Sequence, residues 1–160
     1  MFLGFDTSNY TTSAAFFDGE KIYQQKKLLR VKSGERGLRQ SDAVFQHTVQ
    51  MPDLLTQLPH VQHVNAVAVS TRPRNTEGSY MPCFLVGRNT AAAVSKAADC
   101  PLYETSHQIG HLLAALYSAG RMDLLREKFI AFHVSGGTTE ALLVVPHPQE
   151  ILRAQTVAQS

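Results

Sequence analysis

The chain has 160 residues, of which 44% are hydrophobic and 18% charged, with a formal net charge of +2. That is enough length for one buried core and a small extra piece, and the charge is too mild to argue by itself for a dedicated nucleic-acid surface. Cys83 and Cys100 form neither a CxxC pair nor a disulfide framework, no apolar run approaches the roughly 20 residues that span a bilayer, and no basic segment precedes the first apolar run; a reduced, cytoplasmic setting is expected, with no signal peptide or membrane span.

The first apolar run, residues 2–6, suits a buried strand, and residues 11–17 suit a second. Asp18-Gly19 is a tight-turn signal, so residues 20–29 complete a three-stranded meander. Residues 30–40 hold two glycines and several charges and read as a loop. Ser41-Asp42 can cap a helix carrying Val44, Phe45, Val49, Leu54, Leu55 and Leu58, with Pro52 expected to interrupt or kink it. Residues 64–69 are a valine-rich strand, 71–81 a polar connection, 82–98 an alanine-rich helix and 101–104 a short strand. A helix over 107–119 ends at Gly120, and strands over 129–134 and 138–145 flank Gly136-Gly137. The order βββαβαβα over residues 2–119 implies an α/β fold, a mixed sheet covered by helices on both faces.

The segment from Phe2 to Ala14 repeats at a constant offset of 127 residues. Phe2/Phe129, Phe5/Phe132, Ser8/Ser135, Thr11/Thr138, Thr12/Thr139 and Ala14/Ala141 are identical pairs. The repeat predicts one domain over residues 1–126 and the start of a second copy over residues 127–160, which makes the chain read as truncated.

Two groups of residues can carry chemistry. The repeated turns, Asp6-Thr7-Ser8 and Ser135-Gly136-Gly137-Thr138, expose backbone N–H groups and hydroxyls that can hold phosphate oxygens; a plain hairpin is the alternative for either turn alone. His107 and His111, at i and i+4, share a helix face and can reach one metal ion, although two imidazoles fall short of a complete site. The pair resembles the HExxH of zinc proteases, but Gln108 stands where the general base would be, and a carboxamide cannot take the proton. His60 and His63 read as exposed loop residues, and His47 as a surface or half-buried one. Arg72, Arg74 and Arg88 can meet phosphates or face solvent, and Glu35, Arg36 and Arg39 carry the same two readings.

Gly4-Phe5-Asp6-Thr7-Ser8, then Leu85-Val86-Gly87, then Ser106 to Ala114 with His107 and His111, then His133-Val134-Ser135-Gly136-Gly137-Thr138-Thr139 resemble, in this order, segments of the TsaD/Gcp family, formerly labelled O-sialoglycoprotein endopeptidase. The resemblance runs along the whole chain and corresponds to about the first half of a family member. It implies an actin-like ATPase (ribonuclease H-like) fold and ATP as a ligand. It implies a divalent metal, iron or zinc, held by His107 and His111 with an aspartate from the second domain, so that the site is incomplete in these residues. Asp6, Thr7, Ser8, His133, Val134, Ser135, Gly136 and Gly137 are the implied substrate or nucleotide residues. The implied activity is transfer of a threonylcarbamoyl group from its adenylate to the tRNA adenosine next to the anticodon, with tRNA and a TsaB-like subunit as partners. Four departures mark a divergent paralogue. Thr138 stands where a histidine is usual, and Thr71 to Gly78 replaces a glycine-proline-glycine loop. Gln40-Ser41-Asp42 and His47 are what remains of an acidic, histidine-bearing helix segment, and Ser8-Asn9-Tyr10-Thr11-Thr12 replaces Ser-Cys-Asp-Glu-Thr. A non-catalytic actin-like scaffold is the alternative, and the old peptidase reading a weaker third. The strand edge and apolar residues of the last hairpin also predict self-association.

Overall fold

The computed structural model describes residues 1–34, 37–60, 62–134, 139–148 and 150–159. They form two compact units, the first made of residues 1–73 and 80–107, the second of residues 74–79 and 108–160.

In the first unit, β1 (Phe2–Asp6), β2 (Thr11–Phe17) and β3 (Ile22–Leu28) form the expected antiparallel meander. β4 (Ala66–Arg72) and β5 (Leu102–Ser106) then add in parallel, giving the sheet order β3-β2-β1-β4-β5. Helices α1 (Gln40–Thr56) and α2 (Phe84–Ala98) supply the crossovers that parallel strands require. The core joins Phe5, Ala14, Val67 and Val69 of the sheet to Met51 of α1 and Ala91 of α2.

Both helices differ from the sequence expectation. Arg39, with extended backbone and no side-chain cap bond, precedes α1, so Ser41-Asp42 lies inside the helix. Pro52 also sits inside α1 without ending it, because Met51 and Leu54 beside it are buried in the core and offset the lost backbone bond. α1 buries Ala43, His47, Gln50, Met51 and Leu54, and leaves Phe45 and Val49 exposed. The face toward the sheet is therefore rotated from the one its large apolar residues suggest. α2 starts after Pro82, not with it, and ends on Asp99 in the left-handed conformation.

In the second unit, α3 (His107–Ser118, of which His107 belongs to the first unit) is followed by a 3₁₀ turn over Met122–Arg126 and a three-stranded antiparallel sheet. Its strands are β6 (Phe129–Val134), β7 (Thr139–His147) and β8 (Ile151–Gln159). Ile109 and Leu116 of α3 pack on Leu142, Val144 and Leu152. β8 is a strand that the sequence pattern does not announce: its residues are largely polar or small, and only Leu152 is buried. The ladder to β7 holds it in place.

The repeat persists in the strand pairing. Phe2 pairs with Phe17 and Asp6 with Ser13; at the offset of 127, Phe129 pairs with Val144 and His133 with Glu140. The third strands do not keep the offset. Lys27 pairs with Thr12, whereas its counterpart Ala154 pairs with Val144.

Candidate functional site

In an open sheet, the carboxyl ends of parallel strands are where ligands bind. β1 lies at the centre of the first sheet, and Asp6 is its last residue. The Asp6 carboxylate accepts a hydrogen bond from the Ser8 N–H at 2.8 Å, and its other oxygen lies 2.9 Å from His107 Nδ1. Burial alone would raise the pKa of Asp6, but the His107 hydrogen bond and charge, with bonds from Ser70 and Ser8, outweigh it and hold the group at about 2. Asp6 is therefore ionised throughout the neutral range. An ionised carboxylate only accepts, so Nδ1 of His107 carries the proton in this contact. His107 Nε2 lies 3.4 Å from Ser8 Oγ. The turn beyond Ser8 passes through Asn9 at φ 47, one of the few side chains that tolerate that region, and closes with Thr11 N–H donating to the Ser8 carbonyl.

Thr7 faces inward and is fully buried. Its hydroxyl donates to the Cys83 carbonyl at 2.8 Å and accepts from the Gly87 N–H at 3.1 Å, which ties the turn to the start of α2. Gly87 makes that approach possible, because a Cβ there would lie 3.0 Å from Thr7 Oγ1. Behind the turn, His47 is fully buried, against the expectation of a surface or half-buried residue. Its Nδ1 is 2.8 Å from Thr12 Oγ1; that hydroxyl also donates to Gln50 Oε1 at 2.7 Å, and Gln50 Nε2 reaches the Leu28 carbonyl at 3.2 Å. Burial lowers the pKa of His47, so the ring is neutral near pH 7. The Thr12–His47–Gln50 cluster is the feature that sequence reading missed. The signal for it was a histidine and a glutamine three residues apart on one face of α1. Burial also pushes the Cys83 thiol up, which leaves it inert.

The second unit has its own charged group. Glu140 is fully buried; Arg74 Nη1 donates to its Oε1 at 2.6 Å, and His133 Nδ1 lies 3.3 Å from its Oε2. Burial works to raise the pKa of Glu140, but hydrogen bonds from His133 and Arg74 and the charge of Arg74 carry it below the ordinary value. The rings of His111 and His133 are 6.4 Å apart between centroids and tilted by 32°. Gln108 is buried, and its Nε2 lacks a partner among the described residues.

Of the sequence-predicted residues, Asp6, Ser8 and His107 meet in the first unit, where Thr7 anchors their turn. His111 and His133 approach each other in the second. Val134 is exposed, while Ser135, Gly136, Gly137 and Thr138 lie outside the described residues, as do Glu35 and Arg36. Arg74 is engaged with Glu140 and Arg88 with Glu104. His60 and His63 are exposed, as expected. Among the described residues there is no cluster of three or more His, Cys, Asp or Glu side chains arranged to hold a metal, and no helix is long and apolar enough to cross a membrane.

The sheet order and the helices define an actin-like ATPase fold, shared at low identity with two solved structures. YeaZ from Pseudomonas aeruginosa superposes with a TM-score of 0.52 at 14% identity, over 99% of this chain and 65% of that one. A second structure, described as an uncharacterized protein with similarity to peptidase YEAZ from Pseudomonas aeruginosa, gives a TM-score of 0.55 at 14% identity, over 99% and 64%. The curated relatives share the name tRNA N6-adenosine threonylcarbamoyltransferase. The protein of that name from Riemerella anatipestifer is 28% identical over 149 residues, 90% of this chain and 42% of its own length. The one from Rhizobium etli is 37% identical over 81 residues, 51% of this chain and 20% of its own. The chain thus spans about two fifths or less of these relatives. No family model matches it.

Proposed function

We propose that this chain is a divergent TsaD-like protein of a tRNA-modification system, which binds ATP and a divalent metal and serves the transfer of a threonylcarbamoyl group to the tRNA adenosine next to the anticodon. One contact carries the reading. The β1 turn and the start of α3, two of the segments through which the chain resembles the family, are 101 residues apart in sequence and meet at 2.9 Å between Asp6 and His107.

The residues divide the work as follows. Asp6, held ionised, fixes the His107 ring with Nδ1–H toward the carboxylate, which leaves Nε2 as the nitrogen able to bind a ligand. His107 and His111, one helical turn apart in sequence, are the proposed metal ligands, with iron or zinc suited to imidazole. Such an ion, when bound, would polarise a carbonyl or phosphoryl oxygen of the substrate. Asp6, Thr7 and Ser8 are proposed as one nucleotide turn, with Thr7 acting from beneath by locking it to α2. His133, Val134, Ser135, Gly136 and Gly137 are proposed as its counterpart. We propose further that residues 1–126 form a first actin-like domain and residues 127–160 begin a second, in keeping with the shared hairpin register. The partners proposed are tRNA and a TsaB-like subunit, in the cytoplasm. Self-association is proposed through the exposed row of Ile130, Phe132 and Val134 on β6.

The test is mass spectrometry of tRNA nucleosides after incubation of the protein in its full reading frame with tRNA, threonine, bicarbonate, ATP, the enzyme that forms the adenylate and a TsaB-like subunit. The modified adenosine is expected, and Asp6→Asn or His107→Ala should reduce it at least roughly a hundredfold. A folded protein that yields no product sinks the transferase reading and leaves a non-catalytic actin-like scaffold. Arg74 favours that second reading, because a cation of the divergent 71–78 loop is committed to Glu140. A peptidase is the weakest reading, since Gln108 is buried and supplies no carboxylate.

A further inference from the structure

We infer that the end of β3 and the connection after it form an RNA-backbone surface: Lys26, Lys27, Arg30, Lys32 and Arg39 take phosphates of the tRNA anticodon arm, and Tyr10 beside them stacks on an unpaired base. The inference rests on the tRNA reading above and adds to it the surface that receives the RNA.

Charge distribution carries it first. The net charge of +2 conceals a strong asymmetry along the chain. Residues 21–39 hold seven of the fifteen Lys and Arg but one of the thirteen Asp and Glu, so this stretch has a net charge of +6 and the rest of the chain −4. A single-sign concentration of this kind is the electrostatic footprint of a polyanionic partner. Lys21, Lys26, Lys27, Arg30, Lys32 and Arg39 are all exposed. Among the described residues only Lys27 of these six forms an ion pair, with Asp53 at 3.9 Å, and both side chains of that pair face water.

Edge protection accounts for part of this charge. β3 is the outer strand of its sheet, and lysines on such a strand discourage pairing with another chain. That explains Lys26 and Lys27. Arg30, Lys32 and Arg39 lie past the end of the strand, where there is no ladder to protect.

Geometry ties these cations to the candidate site. The Leu29 N–H donates to the Tyr10 carbonyl at 2.8 Å, so the connection leaves β3 beside the turn that follows Asp6-Thr7-Ser8. Arg30 is then fixed to α1 through both of its backbone groups. Its N–H donates to Gln46 Oε1 at 2.7 Å, and its carbonyl accepts from Gln46 Nε2 at 3.0 Å. Gly37 returns to the same turn, where a Cβ would lie 3.0 Å from Tyr10 Oη. The Tyr10 hydroxyl is thus seated against Gly37 while the residue stays 37% exposed. An aromatic ring among cations suits single-stranded RNA, with phosphates on the charges and a base on the ring. Leu28 and Val31, exposed in the same stretch, also suit an anionic membrane. The cations sit on a strand and a connection, however, without the amphipathic helix that enters a headgroup layer, and this favours RNA.

The experiment follows the fluorescence anisotropy of a labelled anticodon stem–loop RNA with the 160-residue chain over a range of salt concentrations. Sedimentation with vesicles of phosphatidylcholine and phosphatidylserine runs beside it, and circular dichroism checks that each variant is folded. Arg30→Gln combined with Lys32→Gln should weaken RNA binding at least roughly tenfold and flatten the slope of log affinity against log salt by about 1.5. Arg126→Gln combined with Lys128→Gln removes the same charge from exposed residues elsewhere and should cost less than about threefold. Tyr10→Ala should weaken binding at least about fivefold without changing the slope, and Tyr10→Phe should keep wild-type affinity. Wild-type affinity in the Arg30/Lys32 variant overturns the inference, and so do equal losses in the two charge pairs. Vesicle binding without RNA binding overturns it in favour of a membrane surface, and binding to neither overturns it outright. If the modified adenosine still forms in any of these cases, the transferase reading stands without this surface. Loss of RNA binding confined to the Arg30/Lys32 and Tyr10→Ala variants supports the inference, and a negative transfer assay then removes the transferase reading alone.

Discussion

The β1–β2 and β6–β7 hairpins have the same register and bury opposite faces. In the first, Thr12, Ala14 and Phe16 of β2 are buried, and Leu3 and Phe5 of β1 turn toward α1 and α2. In the second, the buried residues of β7 are Glu140, Leu142 and Val144, which occupy the other parity, and Phe129 and Ala131 pack toward α3. Phe5 and its counterpart Phe132 show the consequence: one is 4% exposed and the other 73%. Strand side chains alternate, so a repeated sequence fixes pairing but not which face is covered; the helix that packs on each sheet decides that. The polar residues diverge along with the faces. Asp6 holds a histidine from the start of α3, whereas the residue in its place on β6 is itself a histidine, held by a carboxylate across the ladder.

Phenylalanine truncation offers the largest contrast. Phe5→Ala should cost about 3–5 kcal/mol as a core cavity, and Phe132→Ala less than about 0.5 kcal/mol. Urea melts of the two variants decide it, and equal costs would break the opposite-face description. Next comes Asp6→Asn in metal-free buffer. The carboxylate lies at about 2 when folded against an ordinary value of 3.8, so its contribution is present above about pH 3.8 and disappears as pH falls toward 2. The asparagine variant should lose about 2 kcal/mol at neutral pH and show correspondingly less acid sensitivity.

His47 gives the reverse case of a base kept neutral. Its pKa is lowered from 6.5 by burial, so the unfolded chain binds the extra proton and the folded one does not. Stability from this residue is complete above about pH 6.5 and falls below it, with a slope of at most about 1.4 kcal/mol per pH unit. Melts between pH 5 and 7 on His47→Gln should show that slope removed; an unchanged slope assigns the acid sensitivity elsewhere. The smallest expected effect is at Gly87. Alanine there gains helix propensity but meets Thr7, which is fully buried and held by two hydrogen bonds, so a net loss of about 1 kcal/mol is expected from thermal melts.

Much of this was legible from residue order. The meander, the parallel strands and the Asp6-Thr7-Ser8 and His107 segments follow from apolar runs, turn residues and short motifs. The phase of α1 did not, because Val44, Phe45 and Val49 outweigh Ala43, His47 and Gln50 in any count of apolar residues. The buried face follows instead from the hydrogen bonds that Thr12 and the Leu28 carbonyl offer. β8 was hidden for a similar reason: a mostly polar strand is specified by its neighbour's ladder and has no pattern of its own. The contact between Glu140 and Arg74 links residues 66 apart, and no spacing rule reaches that far.

The row Ile130, Phe132 and Val134 has a consequence for how the protein responds to salts. Contacts made by such a row strengthen in sulfate, which is excluded from protein surfaces and favours apolar burial. Contacts made by surface charges weaken in any salt as the Debye length shrinks. Light scattering in sodium chloride and in ammonium sulfate at matched ionic strength therefore separates the two origins of association by the sign of the response.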